Sequence, residues 1–292
     1  MSISSVGRPR LFEPYAGTAA VSMRLAGCRH LAPYVGGKHF SSRQILEVLQ
    51  LSSLEDVSGV KLGDAGPWGR FWEWCSTERL EAVADLLEGW DERYPQPEGG
   101  DRTLWEAIRS TRPPKNPVVW MASFLYLQAR SYRGKPVWPL EDGWRTHGFD
   151  PEYRDTKVRT SAKTNNRGWA NARPKIALRC RDLARVYDLS IFFGVRDQAM
   201  RWLGSVVPGD RVFLDPPYGR YQGYGPDAVA EPGAVESLAL SCHARGALVV
   251  VAYDDPSLLP GAEVIPLTTR RSGRLQDGNA PLGDVLLVLR PD

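Results

Sequence analysis

Six consecutive apolar residues, Ala247-Leu248-Val249-Val250-Val251-Ala252, constrain the fold of this chain most tightly. A strand with one wet face alternates polar and apolar side chains. An unbroken apolar run has to be covered on both faces, and in α/β proteins helices provide that cover. The same strand–helix rhythm recurs along the chain. Leu11 to Tyr15 read as a strand, followed by the small-residue turn Ala16-Gly17-Thr18 and a helix through Leu25. A helix over 41–51 leads to a strand at Val60-Lys61-Leu62 that stops at Gly63-Asp64, and a helix covers 78–90. After the middle of the chain come strands at Leu189–Phe193 and Arg211–Leu214, a helix over 233–244, and two closing strands, 263–269 and 284–290. This alternation predicts an α/β fold on a mainly parallel sheet.

The middle breaks the rhythm. Pro117 opens an apolar helix to about Arg130, residues 131–172 are irregular, and 174–186 are helical again. The net charge of +3 conceals the difference in character. Residues 101–180 carry 16 Lys and Arg against 7 Asp and Glu, leaving 21 against 27 elsewhere, so a +9 window sits in a −6 remainder. The window also holds ten aromatics. Basic groups neutralise phosphates and flat rings stack on bases, although core aromatics under a solvated basic face give the same composition. The expected organisation is therefore one domain from 1–95 and 181–292, with a second, mainly helical and irregular domain inserted at 96–180. The cysteines (28, 75, 180, 242) and histidines (30, 39, 147, 243) show no metal-ligand spacing and no disulfide framework, so no metal is expected. There is no run of ~20 apolar residues and no secretory leader at Met1–Arg10. A cytoplasmic, monomeric protein without a membrane partner is the expectation.

The segment richest in chemistry is Asp215-Pro216-Pro217-Tyr218, directly after the strand end Phe213-Leu214. Ligands of open α/β sheets bind beyond the carboxyl ends of strands. The two prolines fix φ and present carbonyl oxygens without N–H groups. The Asp215 carboxylate and the Pro216 carbonyl can accept both hydrogens of one amino group, with Tyr218 stacked on the ring that carries it. Such a corner suits a conjugated exocyclic amine, whose lone pair it redirects toward an electrophile while stabilising the positive charge that develops on nitrogen. A Pro-Pro turn with an N-capping Asp is the simpler alternative.

With this corner, the segment Leu11-Phe12-Glu13-Pro14-Tyr15-Ala16-Gly17-Thr18 resembles the first motif of the Dam-like, alpha-group DNA adenine methyltransferases. Ala19 stands where a second glycine is common. Asp215-Pro216-Pro217-Tyr218 is similar to the family's catalytic motif. Gly36-Gly37-Lys38 is similar to its G-G-K segment, here following the first motif rather than preceding it. The resemblance implies a Rossmann-like, S-adenosylmethionine-dependent methyltransferase fold whose insert recognises the target. It implies cofactor contacts from Phe12, Glu13, Pro14, Tyr15, Ala16, Gly17, Thr18, Gly36, Gly37 and Lys38. It also implies contacts from Asp64 to the ribose and from Asp197 to the adenine, the latter equally readable as a helix N-cap. The partner implied is double-stranded DNA with the target base flipped out. Arg130, Arg133, Lys135, Arg154, Lys157, Arg159, Lys163, Arg167 and Arg173 are the candidates for DNA contact. Cytosine N4 as acceptor, RNA or a glutamine amide as substrate, a larger transferred group, and a DNA-binding protein that has lost catalysis remain alternatives.

Overall fold

The computed structural model describes residues 7–34, 37–94, 100–131, 134–149, 172–196, 203–217, 231–267 and 285–291. Its main sheet has seven strands: β1 (Arg10–Glu13), β2 (Gly59–Gly63), β5 (Phe192–Val195), β6 (Arg211–Leu214), β7 (Leu248–Tyr253), β8 (Glu263–Pro266) and β9 (Val285–Leu289). They lie in the order β5-β2-β1-β6-β7-β9-β8. The first five are parallel, and β9 runs antiparallel to both β7 and β8. Counted along the chain within this sheet, the order is 3-2-1-4-5-7-6. That is the doubly wound order 3-2-1-4-5-6 with one antiparallel strand interposed. The architecture is mixed α/β with a mostly parallel sheet flanked by helices, as the alternation predicts. β7, the apolar run, is buried at all six residues.

The chain divides into two compact units, 1–27 with 38–72 and 190–292, and 28–37 with 73–189. The second unit therefore starts well before the 95/96 boundary read from the sequence. The reason is packing: α4 (Thr77–Arg93) lies along α6 (Pro117–Arg130) and α7 (Ala172–Ala184). Arg181 of α7 ties the two helices further through Glu81, Asp85 and Glu88 at 2.6, 2.8 and 2.7 Å. The remaining elements of this unit are α5 (Gly100–Arg109) and a short hairpin of β3 (Trp138–Pro139) and β4 (Trp144–Arg145).

In the first unit, α1 (Ala20–Leu25) follows β1, α2 (Ser42–Leu49) precedes β2, α3 (Pro67–Trp74) begins just after β2, and α8 (Pro232–Ala244) precedes β7. Arg10 fixes the lower end of the sheet. Its backbone N–H and guanidinium both donate to the buried Asp210 just before β6, at 3.0 and 2.6 Å, which sets β1 against β6. α3 is absent from the sequence reading because it is short and rich in aromatics. It packs so closely that a Cβ on Gly69 would lie 1.7 Å from the Asp64 carbonyl oxygen, and one on Gly194 of β5 2.3 Å from that of Trp72. Among the described residues no helix is long and apolar enough to cross a membrane, no group of His, Cys, Asp or Glu is placed to hold a metal, and no two cysteines are bridged.

Candidate active site

Strand order reverses between β1 and β6. Chain progress from β1 runs outward through β2 and β5, then returns to β6 on the other side. Crevices form at such reversals, beyond the carboxyl ends of the strands. Three acidic residues stand there on three neighbouring parallel strands: Glu13 ends β1, Asp64 follows β2 and Asp215 follows β6.

Glu13 is 2% exposed. Its carboxylate accepts the backbone N–H of Ser22 at 2.9 Å and the Ser22 hydroxyl. Burial pushes its pKa up to about 7; the Ser22 bonds oppose that shift and the nearby Asp215 charge adds to it. Among the described residues no basic side chain is paired with Glu13.

The turn after β1 is held from two sides. Ala16 N–H donates to the Gly63 carbonyl at 2.8 Å, and the Trp72 indole N–H donates to the Gly17 carbonyl at 2.7 Å. Gly17 and Ala19 both adopt left-handed conformations, with φ of 47° and 50°. Ala19, standing where the resembled motif has glycine, thus occupies a conformation that glycine adopts without strain. Asp64 accepts the N–H groups of Gly17 and Gly66 at 3.1 and 2.6 Å. Burial raises its pKa against the pull of these bonds. A carboxylate offers about four lone-pair sites, so Asp64 keeps acceptor capacity beyond its work as a turn brace.

Lys38 is drawn to the end of β6. Its ammonium pairs with Asp215 at 2.9 Å, with the two side chains only 7% and 19% exposed. His39, the next residue, has Nε2 at 3.2 Å from the Thr18 hydroxyl. The turn closes through Ser41 N–H to the Lys38 carbonyl and Ser42 Oγ to the His39 carbonyl, both 3.0 Å. His39 carries no motif that marks it in the sequence. Pro216 is buried and Pro217 half-buried. Tyr218, Gly36 and Asp197 lie outside the described residues.

Of the other positions, Pro14, Ala16, Gly17 and Thr18 are buried around the turn and Gly37 is half-buried. Tyr15 is half-buried against the core, which raises its phenol pKa. Phe12 is fully buried in the core under the sheet, so its ring is a packing group and not a ligand contact.

The basic candidates are partly corrected. Arg173 is 0% exposed, pairs with Asp91 at 3.1 Å, and donates to the Trp90 and Tyr94 carbonyls at 2.6 and 2.7 Å. Arg130 is 3% exposed, pairs with Asp101, and lies 4.8 Å over the Phe149 ring. Neither reaches a phosphate; both hold the second unit together. Lys135 is half-buried. Arg133, Arg154, Lys157, Arg159, Lys163 and Arg167 lie outside the described residues. Six of the ten aromatics in the basic window (Trp105, Trp120, Phe124, Tyr126, Trp144 and Phe149) are buried in the core. No protein-family model matches the chain, and no curated protein matches its sequence.

Proposed function

We propose that this chain transfers a methyl group from S-adenosylmethionine to the exocyclic amino group of adenine in double-stranded DNA, on a Rossmann-like methyltransferase fold. The observation that carries the reading is the Lys38 ammonium on Asp215, next to Pro216 and Pro217 at the strand reversal. An ammonium is a nitrogen bearing hydrogen-bond donors, which supports reading the Asp215 carboxylate as an acceptor for the N–H groups of an amine.

The donor set fits the cofactor. Glu13 is a buried carboxylate without a basic partner among the described residues, suited to a cationic group. Asp64, beside the braced glycine turn, has acceptor capacity for hydroxyls. S-adenosylmethionine, when bound, supplies an electrophilic methyl on a positively charged sulfur.

The chain's own groups do the rest. Lys38 withdraws as the target amine enters, because both compete for the same carboxylate oxygens. Asp215 and the Pro216 carbonyl then accept the two N–H groups and turn the nitrogen lone pair out of conjugation. With the donor held by Glu13 and Asp64, the amine would take the methyl from sulfur and release the neutral thioether, and Asp215 would pass the excess proton on nitrogen to water. Fixed acceptors at the developing charge need no reorganisation during transfer, and holding both reactants in line removes much of the entropic barrier.

The test is incubation with duplex DNA and methyl-labelled S-adenosylmethionine, digestion to nucleosides and identification by mass. N6-methyl-2′-deoxyadenosine is the expected product. N4-methylcytosine would move the acceptor to cytosine. Unlabelled DNA in the presence of bound cofactor would refute both.

A further inference from the structure

We propose that Phe40 is a base-stacking residue of this site, its ring lying flat on the nucleobase as that base enters the Asp215 corner. The inference rests on the methyl-transfer reading above. Phe40 is 69% exposed, more than any other large hydrophobic side chain among the described residues. Single exposed apolar residues are common, but this one has an available structural role that it does not fill. Ser41 is the N-cap of α2, so Phe40 precedes the cap and Ile45 is the fourth residue of the helix. An apolar residue before the cap ordinarily packs on that fourth residue. Ile45 is fully buried while Phe40 stands in water, so the staple is not made.

The backbone that presents the ring is nevertheless fixed on both sides. Lys38 reaches Asp215, His39 reaches Thr18, and Ser41 and Ser42 are buried at the start of the helix. Only His39 separates Phe40 from Lys38, about 7 Å of chain at most. Phe40 is therefore within one residue of the side chain that the incoming amine displaces, at the crevice where Lys38 and Asp215 pair. A rigid planar apolar group at that place matches the π-face of a base and adds no sequence preference, since every base has one.

The test compares F40A, F40L and F40W with the wild type by initial rates on mixed-sequence duplex DNA, by calorimetric affinity for S-adenosylhomocysteine, and by thermal melting. Stacking worth ~1–3 kcal/mol per base corresponds to about a 5- to 150-fold loss of kcat/KM for DNA in F40A. F40L should lose nearly as much because it is apolar without a flat face, and F40W should recover most of the rate. Cofactor affinity and melting temperature should be unchanged in all three. An F40A rate equal to wild type, or full rescue by F40L, overturns the stacking role. Should the wild type methylate no DNA, a single-stranded oligonucleotide titration decides. Weaker binding by F40A and F40L keeps the stacking role and sinks only the transfer chemistry; equal binding sinks both.

Discussion

Replacing Lys38 by Met is the sharpest test of the site. The side chain keeps much of its length and apolar stem and loses only the ammonium. At 2.9 Å and an effective dielectric near 20, the attraction to Asp215 is about 6 kcal/mol before desolvation is counted. Part of that repays the burial of the lysine itself. What the variant feels is an uncompensated carboxylate beside a second one, Glu13, and removing one partner of a buried pair costs about 3–5 kcal/mol. The expected loss in urea unfolding without cofactor is therefore about 3 kcal/mol or more at pH 8. The sign with pH is fixed. In the variant, protonation relieves two crowded carboxylates, so its folded state binds more protons than its unfolded state and its stability falls as pH rises. The deficit relative to wild type should accordingly shrink toward pH 4. A cofactor-only role for Lys38, as the motif resemblance implies, predicts otherwise: unchanged stability without cofactor and a weaker cofactor Kd. A loss below about 1 kcal/mol, or one independent of pH, refutes the ion-pair argument.

Three further outcomes follow from the geometry. Glu13 keeps its proton up to about pH 7 when folded, against an ordinary value of 4.5. The stability it contributes is complete below pH 4.5 and lost as pH rises through 7. The stability difference between wild type and E13Q should thus fall by about 3 kcal/mol across that window in denaturant melts; a flat difference would mean that Glu13 is solvated. G69A sets a Cβ 1.7 Å from the Asp64 carbonyl oxygen, so α3 or the end of β2 has to shift. Thermal melting should show about 3 kcal/mol or more lost, and calorimetry a weakened cofactor affinity. R173M removes a fully buried guanidinium and should cost about 3–5 kcal/mol of stability. It should leave the slope of log DNA affinity against log salt unchanged, because no phosphate contact is lost; a shallower slope with intact stability would restore Arg173 to the DNA interface.

Much of the sheet was legible because buried parallel strands write themselves as apolar runs that end abruptly. Phe213-Leu214 before Asp215 and Val60–Leu62 before Gly63-Asp64 mark both the strand and the place where its ligand-facing end lies. Elements that lack such a signature were missed. α3 is eight residues with Trp68, Phe71, Trp72 and Trp74, and its role depends on Gly69 and Gly194 letting backbones touch. The Lys38–Asp215 pair was illegible for another reason. It joins residues far apart in the chain, and only the β1–β6 register and the turn anchored by His39 bring them together. Arg130 did leave a readable sign: it is the one charged residue of a 14-residue helix, α6. A lone charge at the end of a buried helix needs a buried partner, here Asp101.

The charge of the crevice also discriminates among ligands that a doubly wound sheet can take. A dinucleotide places its pyrophosphate at the turn after the first strand, where glycines and a helix N-terminus receive it. In this chain that strand ends in Glu13, buried, with the Asp215 carboxylate close enough to raise its pKa. Asp64 follows the adjacent strand, and the Lys38 ammonium is already committed to Asp215. A pyrophosphate would bring two more negative charges next to groups that already resist ionisation. A ligand carrying a sulfonium and an amino group lowers the same repulsion, and its binding should draw Glu13 toward the ionised form. The acidic strand ends thus favour a cationic small molecule, and hydrogen-bond donors at Asp215, over a phosphate-bearing cofactor on the same topology.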